Sequence, residues 1–501
     1  MSLLLKYSRY IFLFLAGSLG LLIVSSLLGK IEAYYHSGRS LESAHPGFEV
    51  LRNDVPPTLW CADLTKNSNE YIKKEIEKQY TSGWMWLNTS IRSGDWRGIM
   101  DFYTTDMAKD LQNNENNATI DLKQTILKHH LTLKHISIDY TLAVLTDSLV
   151  KYQCVELTSG TTACSTVTHK MEVFLQLQDD RWKVFNWKEL SSQAISMPER
   201  KVNAVFTENL ETIKNVKGVN YYPQKSPWKS FWMNYDSTII EKDFDKISGL
   251  GFNTVRLFLS MMDVGRNEIN LQTISKLDQL ISAAKKNNLR IIPTLFDFPI
   301  GFEISKFPTY LRQLEFIIDR YKQDPTILAW NLKNEADLDF DNYGKNEIVR
   351  WADLMIDFYK RLDAQHPLTI GWAKIENVRI LEDKLDFTSL HHYTSLSELQ
   401  EFIADRRSSE KPLLIEEFGT PSNKSIWNLY LQSENKQEKE IKARLSFYEK
   451  QELPWMIWTL YDFDEAPTDV FGRNPISKNN QKGFGILQAD GQEKSIAIFI
   501  S

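Results

Sequence analysis

The sequence has few cysteines and no excess of basic residues. Its 501 residues carry a net charge of −6, so we expect no nucleic-acid partner. Only three cysteines are present, and they cannot all pair with one another. Cys154 and Cys164 flank the turn 158–161 almost symmetrically, which in a hairpin would bring them to cross-strand disulfide distance. Two buried thiols are the alternative, and Cys61 is left without a role.

Charge is also missing from a long apolar run near the amino terminus. No charged residue interrupts Ile11–Leu28, and that length is near the lower limit for a bilayer-spanning helix. The run lacks a small-x-small cleavage site and a terminal cysteine, which argues against a cleaved signal peptide and a lipoprotein anchor. We therefore expect residues 1–30 to be a transmembrane signal-anchor, with a cleaved signal peptide as the alternative.

Two further segments lead away from this run. Residues 31–65 mix polar residues with turn formers and are interpreted as a stalk or linker. Residues 66–200 begin with two helical patterns and continue with β-rich stretches, which is an α+β layout. This order, with the closing strand 181–187, resembles the cystatin-like cone of the nuclear transport factor 2-like fold. No acid and base pair stands out here, so we interpret the domain as a spacer or a module that binds a protein partner.

From Lys217 onward the pattern changes to alternating strands and amphipathic helices. Eight apolar, β-branched runs are strand candidates: 218–221, 254–257, 290–295, 327–332, 368–371, 387–390, 413–415 and 455–458. Alternating βα units over about 285 residues predict an α/β fold of the (β/α)8 barrel type, for which roughly 250 residues are typical. Residues 201–501 are assigned to this barrel, and its chemistry is expected at the carboxyl ends of the strands.

Two carboxylates fall at such ends, on opposite sides of the predicted barrel mouth. The fourth strand ends in Lys333-Asn334-Glu335, and the seventh ends in Glu416-Glu417. Glycoside hydrolysis requires a pair of this kind, because one carboxyl group protonates the leaving oxygen while the other attacks the anomeric carbon or activates water. Alternation along a strand puts Glu416 and Glu417 on opposite faces, but it does not say which face lies inside.

The segments around these carboxylates resemble a known family. Residues 330–335 and 414–419 are similar to the strand-four and strand-seven signatures of clan A glycoside hydrolases, and of cellulase-like glycoside hydrolase family 5 in particular. The resemblance covers about residues 215–501. It implies that Glu335 is the acid/base and that Glu417, which precedes an aromatic-Gly step, is the nucleophile. The mechanism that the resemblance implies requires no metal or organic cofactor.

The same resemblance assigns five substrate-binding positions. It implies that Arg256 hydrogen-bonds the nucleophile and that Asn334 contacts the 2-hydroxyl of the reacting sugar. It also implies that His391 and Tyr393 form the His-x-Tyr pair of the sixth strand, and that Trp458 stacks under the reacting sugar. These roles follow from the match to the family and not from spacing alone.

The sequence departs from the family pattern at two positions. Asp297 ends the third strand where many relatives carry His, and Ala336 follows Glu335 where Pro is usual. Because of the first departure, the family pattern does not determine the sugar-binding subsites of this chain. We further expect Trp228, together with Trp232, to act as a sugar platform, and Asp462 to accept a sugar hydroxyl at the rim of the cleft.

These observations predict a membrane-anchored retaining β-glycosidase. We expect the charge of Glu417 and partial burial to raise the pKa of Glu335, while Arg256 and Tyr393 keep Glu417 ionised. The expected substrate is a β-linked polysaccharide or oligosaccharide, of glucan or mannan type or a self-made exopolysaccharide. Because such substrates lie outside the cell, the catalytic domain is expected on the extracytoplasmic side of the membrane. A transglycosylase and a non-catalytic glycan-binding or assembly protein are the alternatives.

Overall fold

The structure is a computed structural model, and it describes residues 58–63, 70–116, 122–156, 162–194, 200–265, 268–298, 301–406, 409–424 and 432–500. The chain divides into two compact units, Met1–Gln193 and Ala194–Ser501. The predicted anchor, residues 1–30, and most of the predicted stalk lie outside the described residues. In the part of the chain that is described, none of the helices is both long and apolar enough to cross a membrane.

In its described residues, the first unit combines two α-helices with one sheet. Its elements are β1 Thr58–Asp63, α1 Glu70–Ser93, α2 Thr105–Asn116, β2 Leu122–Ile136, β3 Leu142–Glu156, β4 Thr162–Gln178 and β5 Arg181–Ala194. The five strands lie in chain order, with β1 parallel to β2 and the pairs β2–β3 and β3–β4 antiparallel. Helix α1 buries Ile76, Tyr80, Trp84 and Leu87, whose spacing of three or four residues makes one apolar face.

This unit has the α+β layout that the sequence predicts, whereas its resemblance to the cystatin-like cone stays a prediction. One boundary differs from the expectation. Strand β1 falls inside the segment interpreted as a stalk, and it pairs with β2 through Thr58 and His129. The sheet therefore begins before residue 66, because a short edge strand in a polar, turn-rich segment has no long apolar pattern by which it could be recognised.

A disulfide joins Cys154 and Cys164, which is one of the two alternatives that the sequence leaves open. The two residues face each other directly in the antiparallel register of β3 and β4, with their Cα atoms 4.1 Å apart. The alternative of two buried thiols is therefore wrong. The bond closes the hairpin whose turn, residues 157–161, lies outside the described residues.

The second unit contains a closed parallel sheet. Its strands are β6 Lys217–Asn220, β7 Thr254–Phe258, β8 Arg290–Phe296, β9 Trp330–Lys333, β10 Leu368–Thr369, β11 Gly371–Trp372, β12 Thr388–His391, β13 Leu413–Phe418 and β14 Trp455–Ile457. Strands β10 and β11 are two halves of one strand, because β10 pairs with β9 and β11 pairs with β12. Strand β14 pairs with β6, so eight strands close the predicted (β/α)8 barrel.

Helices alternate with these strands, as the prediction requires. They are α3 Ala204–Ile213, α4 Ser237–Gly249, α5 Met261–Val264, α6 Leu271–Lys286, α7 Phe307–Tyr321, α8 Phe340–Tyr343, α9 Lys345–Leu362, α10 Leu396–Asp405, α11 Glu434–Lys450, α12 Thr468–Phe471, α13 Pro475–Gln481 and α14 Ser495–Ile500. Several start at a side-chain cap: Asp236 accepts hydrogen bonds from the first amides of α4, and Asn270 does so for α6.

The barrel interior is apolar at one end and polar at the other. A buried cluster closes the end where the strands begin, and it includes Val216, Ile292, Leu328, Leu414 and Met456. Parallel strands bring all of their carboxyl ends to the opposite end. The polar side chains that follow each strand are therefore gathered at one mouth, above a packed apolar floor.

Candidate active site

Charged side chains from four strands converge at the carboxyl end of the barrel. One carboxylate oxygen of Glu335, one of Glu417 and a ring nitrogen of His391 all lie within 4.8 Å of one another. Glu335 follows β9, Glu417 lies near the end of β13, and His391 ends β12. The two carboxylates that the sequence selects are thus neighbours in space, although 82 positions separate them along the chain.

Arg256 is fully buried and organises the floor of this site. Its Nη1 donates to Glu417 Oε2 at 3.1 Å and to Asn220 Oδ1 at 3.0 Å. Its Nη2 donates to Asn334 Oδ1 at 2.8 Å, and its Nε donates to Thr294 Oγ1 at 3.1 Å. A guanidinium with four partners is held rigidly, so it fixes the positions of Glu417 and Asn334 relative to each other.

Glu417 is held at both oxygens, while Glu416 points away from the cavity. The hydroxyl of Tyr393 donates to Glu417 Oε1 at 2.6 Å, opposite the bond from Arg256 to Oε2. Glu416 is completely buried, and its Oε2 accepts from Asn331 Nδ2 at 2.6 Å. The alternation of the strand left the choice between the two glutamates open, and the structure turns Glu417 toward the open cavity.

The backbone of Glu335 adopts a left-handed conformation, with φ 43° and ψ 51°. Non-glycine residues rarely occupy this region, and a residue held there costs on the order of 1–3 kcal/mol. The conformation ends β9 and starts a short helical turn over Ala336–Asp339. It also directs the Glu335 side chain into the cavity, where 25% of that side chain is exposed, against 9% for Glu417.

His391 lies between the carboxylates and carries a proton at neutral pH. Its Nδ1 is 3.0 Å from Glu335 Oε1 and 3.4 Å from Glu417 Oε2, and its Nε2 is 3.6 Å from Glu416 Oε2. Burial lowers its pKa, but the three carboxylates outweigh burial and raise the pKa to about 10. Glu335, His391 and Glu417 also have the spacing of metal ligands.

The pKa shifts of the two carboxylates are opposite to the expectation from the sequence. Burial raises the pKa of Glu335, but the hydrogen bond and charge of His391, helped by Arg256, outweigh burial and lower it overall. Burial also raises the pKa of Glu417, and His391 opposes this, but the charge of Glu335 supports it and the net shift is upward. The expected rise for Glu335 is wrong in the sugar-free site, because His391 donates to Glu335.

A cavity of about 600 Å³ opens above these groups. Eight aromatic residues line it, among them Tyr222, Trp228, Phe258 and Trp458. The ring of Trp458 meets Tyr222 and Phe258 edge-on, at centroid distances of 6.2 and 6.0 Å. Apolar rings with a few convergent polar groups are typical of a small-molecule site, and a cavity of this size is within the usual range.

Two further residues line the cavity, although the sequence did not assign them to the site. Asp297 accepts a hydrogen bond from the hydroxyl of Tyr222 at 3.1 Å, and burial, opposed by the charge of Lys333, raises its pKa to about 6. Lys333 Nζ contacts Asp339 Oδ2 at 3.0 Å and donates to the carbonyl oxygen of Asp297 at 3.1 Å. Both Asp297 and Lys333 lie at strand ends, so the rule that led to the glutamates could also have selected them.

Asp462 and Trp232 are not brought to the cavity. Asp462 Oδ2 lies 2.7 Å from Lys494 Nζ, and its Oδ1 accepts from the backbone amide of Gly485. It lines a separate hollow of the surface, so its carboxylate is not available to a sugar at the barrel mouth. Trp232 is buried and donates from Nε1 to the carbonyl oxygen of Phe258, which makes it part of the packing beneath the mouth.

Comparison with known proteins gives a family match that lies within the second unit. Residues 211–464 match the family profile Cellulase (glycosyl hydrolase family 5). The chain is 22% identical to mannan endo-1,4-β-mannosidase A of Podospora anserina, with 39% of this chain and 69% of that protein covered. It is 30% identical to mannan endo-1,4-β-mannosidase 3 of Solanum lycopersicum, where it spans about a third of the relative, with 20% of this chain and 34% of that protein covered.

The structure is similar to that of an exo-β-1,4-mannosidase from Opitutaceae bacterium strain TAV5, with 18% sequence identity and a TM-score of 0.46. The match covers 56% of this chain and 58% of that chain.

Proposed function

Because the chain belongs to the cellulase family, glycosyl hydrolase family 5, and is a glycoside hydrolase that acts on O-glycosyl compounds, we propose that it cleaves β-linked chains with retention of configuration. The observation that carries this proposal is the short separation of the carboxylates, with oxygens of Glu335 and Glu417 within 4.8 Å of each other. Retaining enzymes have carboxyl groups about 5–5.5 Å apart, whereas inverting enzymes need about 6.5–9.5 Å to admit a water molecule.

In the first step, Glu417 attacks the anomeric carbon and the bond to the leaving oxygen breaks. Arg256 and Tyr393 hold the two oxygens of Glu417, so the attacking carboxylate is oriented before the sugar arrives. The leaving oxygen takes a proton from Glu335. Glu335 carries that proton because the bound sugar displaces water from its carboxyl group, which raises the pKa of Glu335. His391 Nδ1, 3.0 Å from Glu335 Oε1, orients this carboxyl group.

In the second step, water replaces the departed sugar. Glu335, now a carboxylate, takes a proton from that water while the water oxygen attacks the anomeric carbon and the ester bond to Glu417 breaks. The ester has no charge, so its repulsion of Glu335 is absent at this stage and the role of base is favoured. Hydrolysis restores the carboxylate of Glu417 and returns the sugar with its original configuration.

The proposed substrate is a β-linked polysaccharide or oligosaccharide of the glucan or mannan type. The names of the curated relatives favour a β-1,4-mannan. The ring-lined cavity supports a sugar ligand, because the C–H faces of a pyranose pack against aromatic rings while its hydroxyls need polar partners such as Asn334 and Asp297.

We also propose that residues 1–30 anchor the chain in a membrane, with the barrel on the extracytoplasmic side. The uncharged run Ile11–Leu28 and the Cys154–Cys164 disulfide support this, since disulfides persist in oxidising compartments. Residues 66–200 would then be a cystatin-like spacer that docks a protein partner. Membrane fractions washed with carbonate and then extracted with detergent test the anchor, because an anchored chain leaves the membrane only with detergent.

Product stereochemistry tests the mechanism. The full-length chain is incubated with β-1,4-mannopentaose and with cellopentaose, and proton NMR follows the first anomer released. Appearance of the β-anomer before mutarotation supports retention, and the α-anomer first contradicts it. Products longer than the starting oligosaccharide would instead indicate glycosyl transfer to a sugar acceptor by the same two glutamates.

A further inference from the structure

The loop that follows β14 forms a wall at one end of the cavity. This strand-eight loop, residues 458–484, carries helices α12 and α13. It places the side chains of Phe471, Asn480 and Gln481 at the cavity surface. The strand-eight loop therefore folds over the barrel mouth and closes this end of the cavity.

Aromatic packing holds this loop against the loop that follows β6. The ring of Trp228 lies 4.8 Å from the rings of both Phe463 and Phe471. Trp228 is only 5% exposed, and its φ of 52° is a left-handed conformation that a bulky residue seldom adopts. Such a conformation persists only where the surrounding packing imposes it, so the contact is a firm one.

Polar contacts hold the same two loops together at the surface. Lys229 Nζ lies 3.0 Å from Asp469 Oδ2 and also 5.2 Å from the ring centre of Phe298, which follows the third barrel strand. Gln224 Nε2 donates to Asp464 Oδ2 at 2.8 Å. Solvent-exposed pairs of this kind contribute little free energy to the contact between the loops. They fix the alignment of the two loops, while the aromatic rings supply most of the stabilisation. We call the contacts of Trp228 and Lys229 with Phe471 and Asp469 the clasp.

Exposure to solvent differs across the cavity. Glu335, the proposed proton donor to the leaving oxygen, has 25% of its side chain exposed, against 9% for Glu417, the proposed nucleophile. Trp458, the proposed platform for the sugar under attack, contacts Tyr222 edge-on, and Tyr222 in turn contacts Trp228 of the clasp at a centroid distance of 6.2 Å. Within the proposed function, the sugar that leaves therefore lies toward solvent, and the sugar that forms the ester lies toward the clasp.

Unpartnered polar atoms occur in the enclosing wall. Among the described residues, the side-chain oxygens Asn480 Oδ1 and Gln481 Oε1 are buried and accept no hydrogen bond. Buried acceptors without a partner are costly, so a turn of these two side chains toward a hydroxyl donor of a ligand in the cavity is favoured. The terminal sugar of a chain offers a free hydroxyl at its non-reducing end, whereas an internal sugar offers a bulky glycosidic link.

We infer from this geometry that the enzyme acts at chain ends: it accepts the non-reducing terminal residues of a β-linked oligosaccharide and excludes internal segments. The inference rests on the proposed function, and it differs from the endo action that the names of the curated mannanases state. The clasp is the device that blocks a chain from continuing past the enclosed sugar.

A substrate blocked at its non-reducing end tests the inference. The full-length chain is given β-1,4-mannopentaose and cellopentaose carrying a fluorophore at the reducing end, with and without a benzylidene acetal on the non-reducing terminal sugar. We expect stepwise shortening of the unblocked chain, and hydrolysis of the blocked chain to be at least about 100-fold slower.

Comparable cleavage of both would overturn the inference and leave the proposed function intact. No hydrolysis of either pentaose, together with no hydrolysis of aryl β-mannoside and β-glucoside, would contradict the proposed function itself.

Opening the clasp gives a second, independent readout. We expect the double variant Asp469→Ala, Phe471→Ala to cleave the blocked pentaose at least about tenfold faster than the natural chain does, because the wall loses its ring contact and its ion pair. The matched control is Glu241→Ala, which removes the exposed contact between Lys286 and Glu241 outside the clasp and should leave the blocked chain uncleaved. A folded double variant, checked by thermal melting, that still rejects the blocked chain would count against the clasp.

Discussion

The ring nitrogen Nδ1 of His391 lies 3.0 Å from Oε1 of Glu335, and this contact governs the protonation of the whole site. The charge of His391 lowers the pKa of Glu335, and it opposes the rise that burial and the charge of Glu335 give to the pKa of Glu417. In return, the carboxylates raise the pKa of His391 to about 10. The cation thus draws Glu335 toward its ionised form and limits the net rise in the pKa of Glu417.

Replacement of His391 is expected to move the acidic limb of activity. In His391→Gln the positive charge is lost, so the pKa of Glu417 rises and a higher pH is needed to ionise the nucleophile. The acidic limb of kcat/KM against pH should therefore move to higher pH, and kcat should fall. Profiles measured with an aryl glycoside check this, and an acidic limb that stays in place would show that His391 is neutral in the working enzyme.

Removal of either catalytic carboxylate should be rescued by azide with opposite stereochemistry. In Glu335→Ala the ester still forms from a substrate with a good leaving group, so azide attacks the ester and gives the β-glycosyl azide. In Glu417→Ala azide attacks the sugar directly and gives the α-azide. Each variant should lose roughly 10²–10⁴-fold in kcat without azide. NMR of the azide products makes the assignment.

Glu416 supplies the control for that experiment. In Glu416→Gln the side-chain oxygen can still accept the hydrogen bond from Asn331, but the ion pair with Arg256 is lost. Activity should therefore fall. Azide should not restore it, because no space opens in the cavity. Rescue of Glu416→Gln with the yield of Glu417→Ala would reverse the assignment of the nucleophile.

The Cys154–Cys164 disulfide should stabilise the first unit and leave catalysis unchanged. The bond closes a loop with a sequence separation of 10. Its loss in Cys154→Ser, Cys164→Ser should lower the free energy of unfolding of that unit by about 2–3 kcal/mol. Urea denaturation followed by limited proteolysis measures this, with Cys61→Ser as the control. A fall in hydrolysis per folded molecule at the same time would show that the first unit contributes to the active site.

Lys494 should be needed for stability and Asp462 should be dispensable for sugar binding. In Lys494→Met the buried carboxylate of Asp462 loses its cation, and breaking a buried pair costs about 3–5 kcal/mol. Burial already raises the pKa of Asp462 to about 6 against the pull of Lys494. Asp462→Asn should leave KM near its natural value, as initial rates will show. A large rise in KM in a fully folded Asp462→Asn chain would show that Asp462 does contact the substrate.

The main features of the fold were predictable because local patterns carry them. Each barrel strand is a short apolar, β-branched run, and its length and spacing are visible without any knowledge of its partners. The two glutamates directly follow such runs, and parallel strands bring their ends together wherever a barrel forms. The symmetric placement of Cys154 and Cys164 around a turn similarly puts them opposite each other in a hairpin, but it leaves open whether the two thiols are joined.

What the sequence alone determined is therefore the kind of elements and which residues stand at their ends. The tertiary structure decided the rest, because it depends on contacts between distant segments. The choice of Glu417 over Glu416 needs the closed barrel, and the proton on His391 needs three carboxylates from two other strands around it. Asp462 was misplaced and the clasp was unforeseen for the same reason: no periodicity along a loop tells in which direction the loop folds.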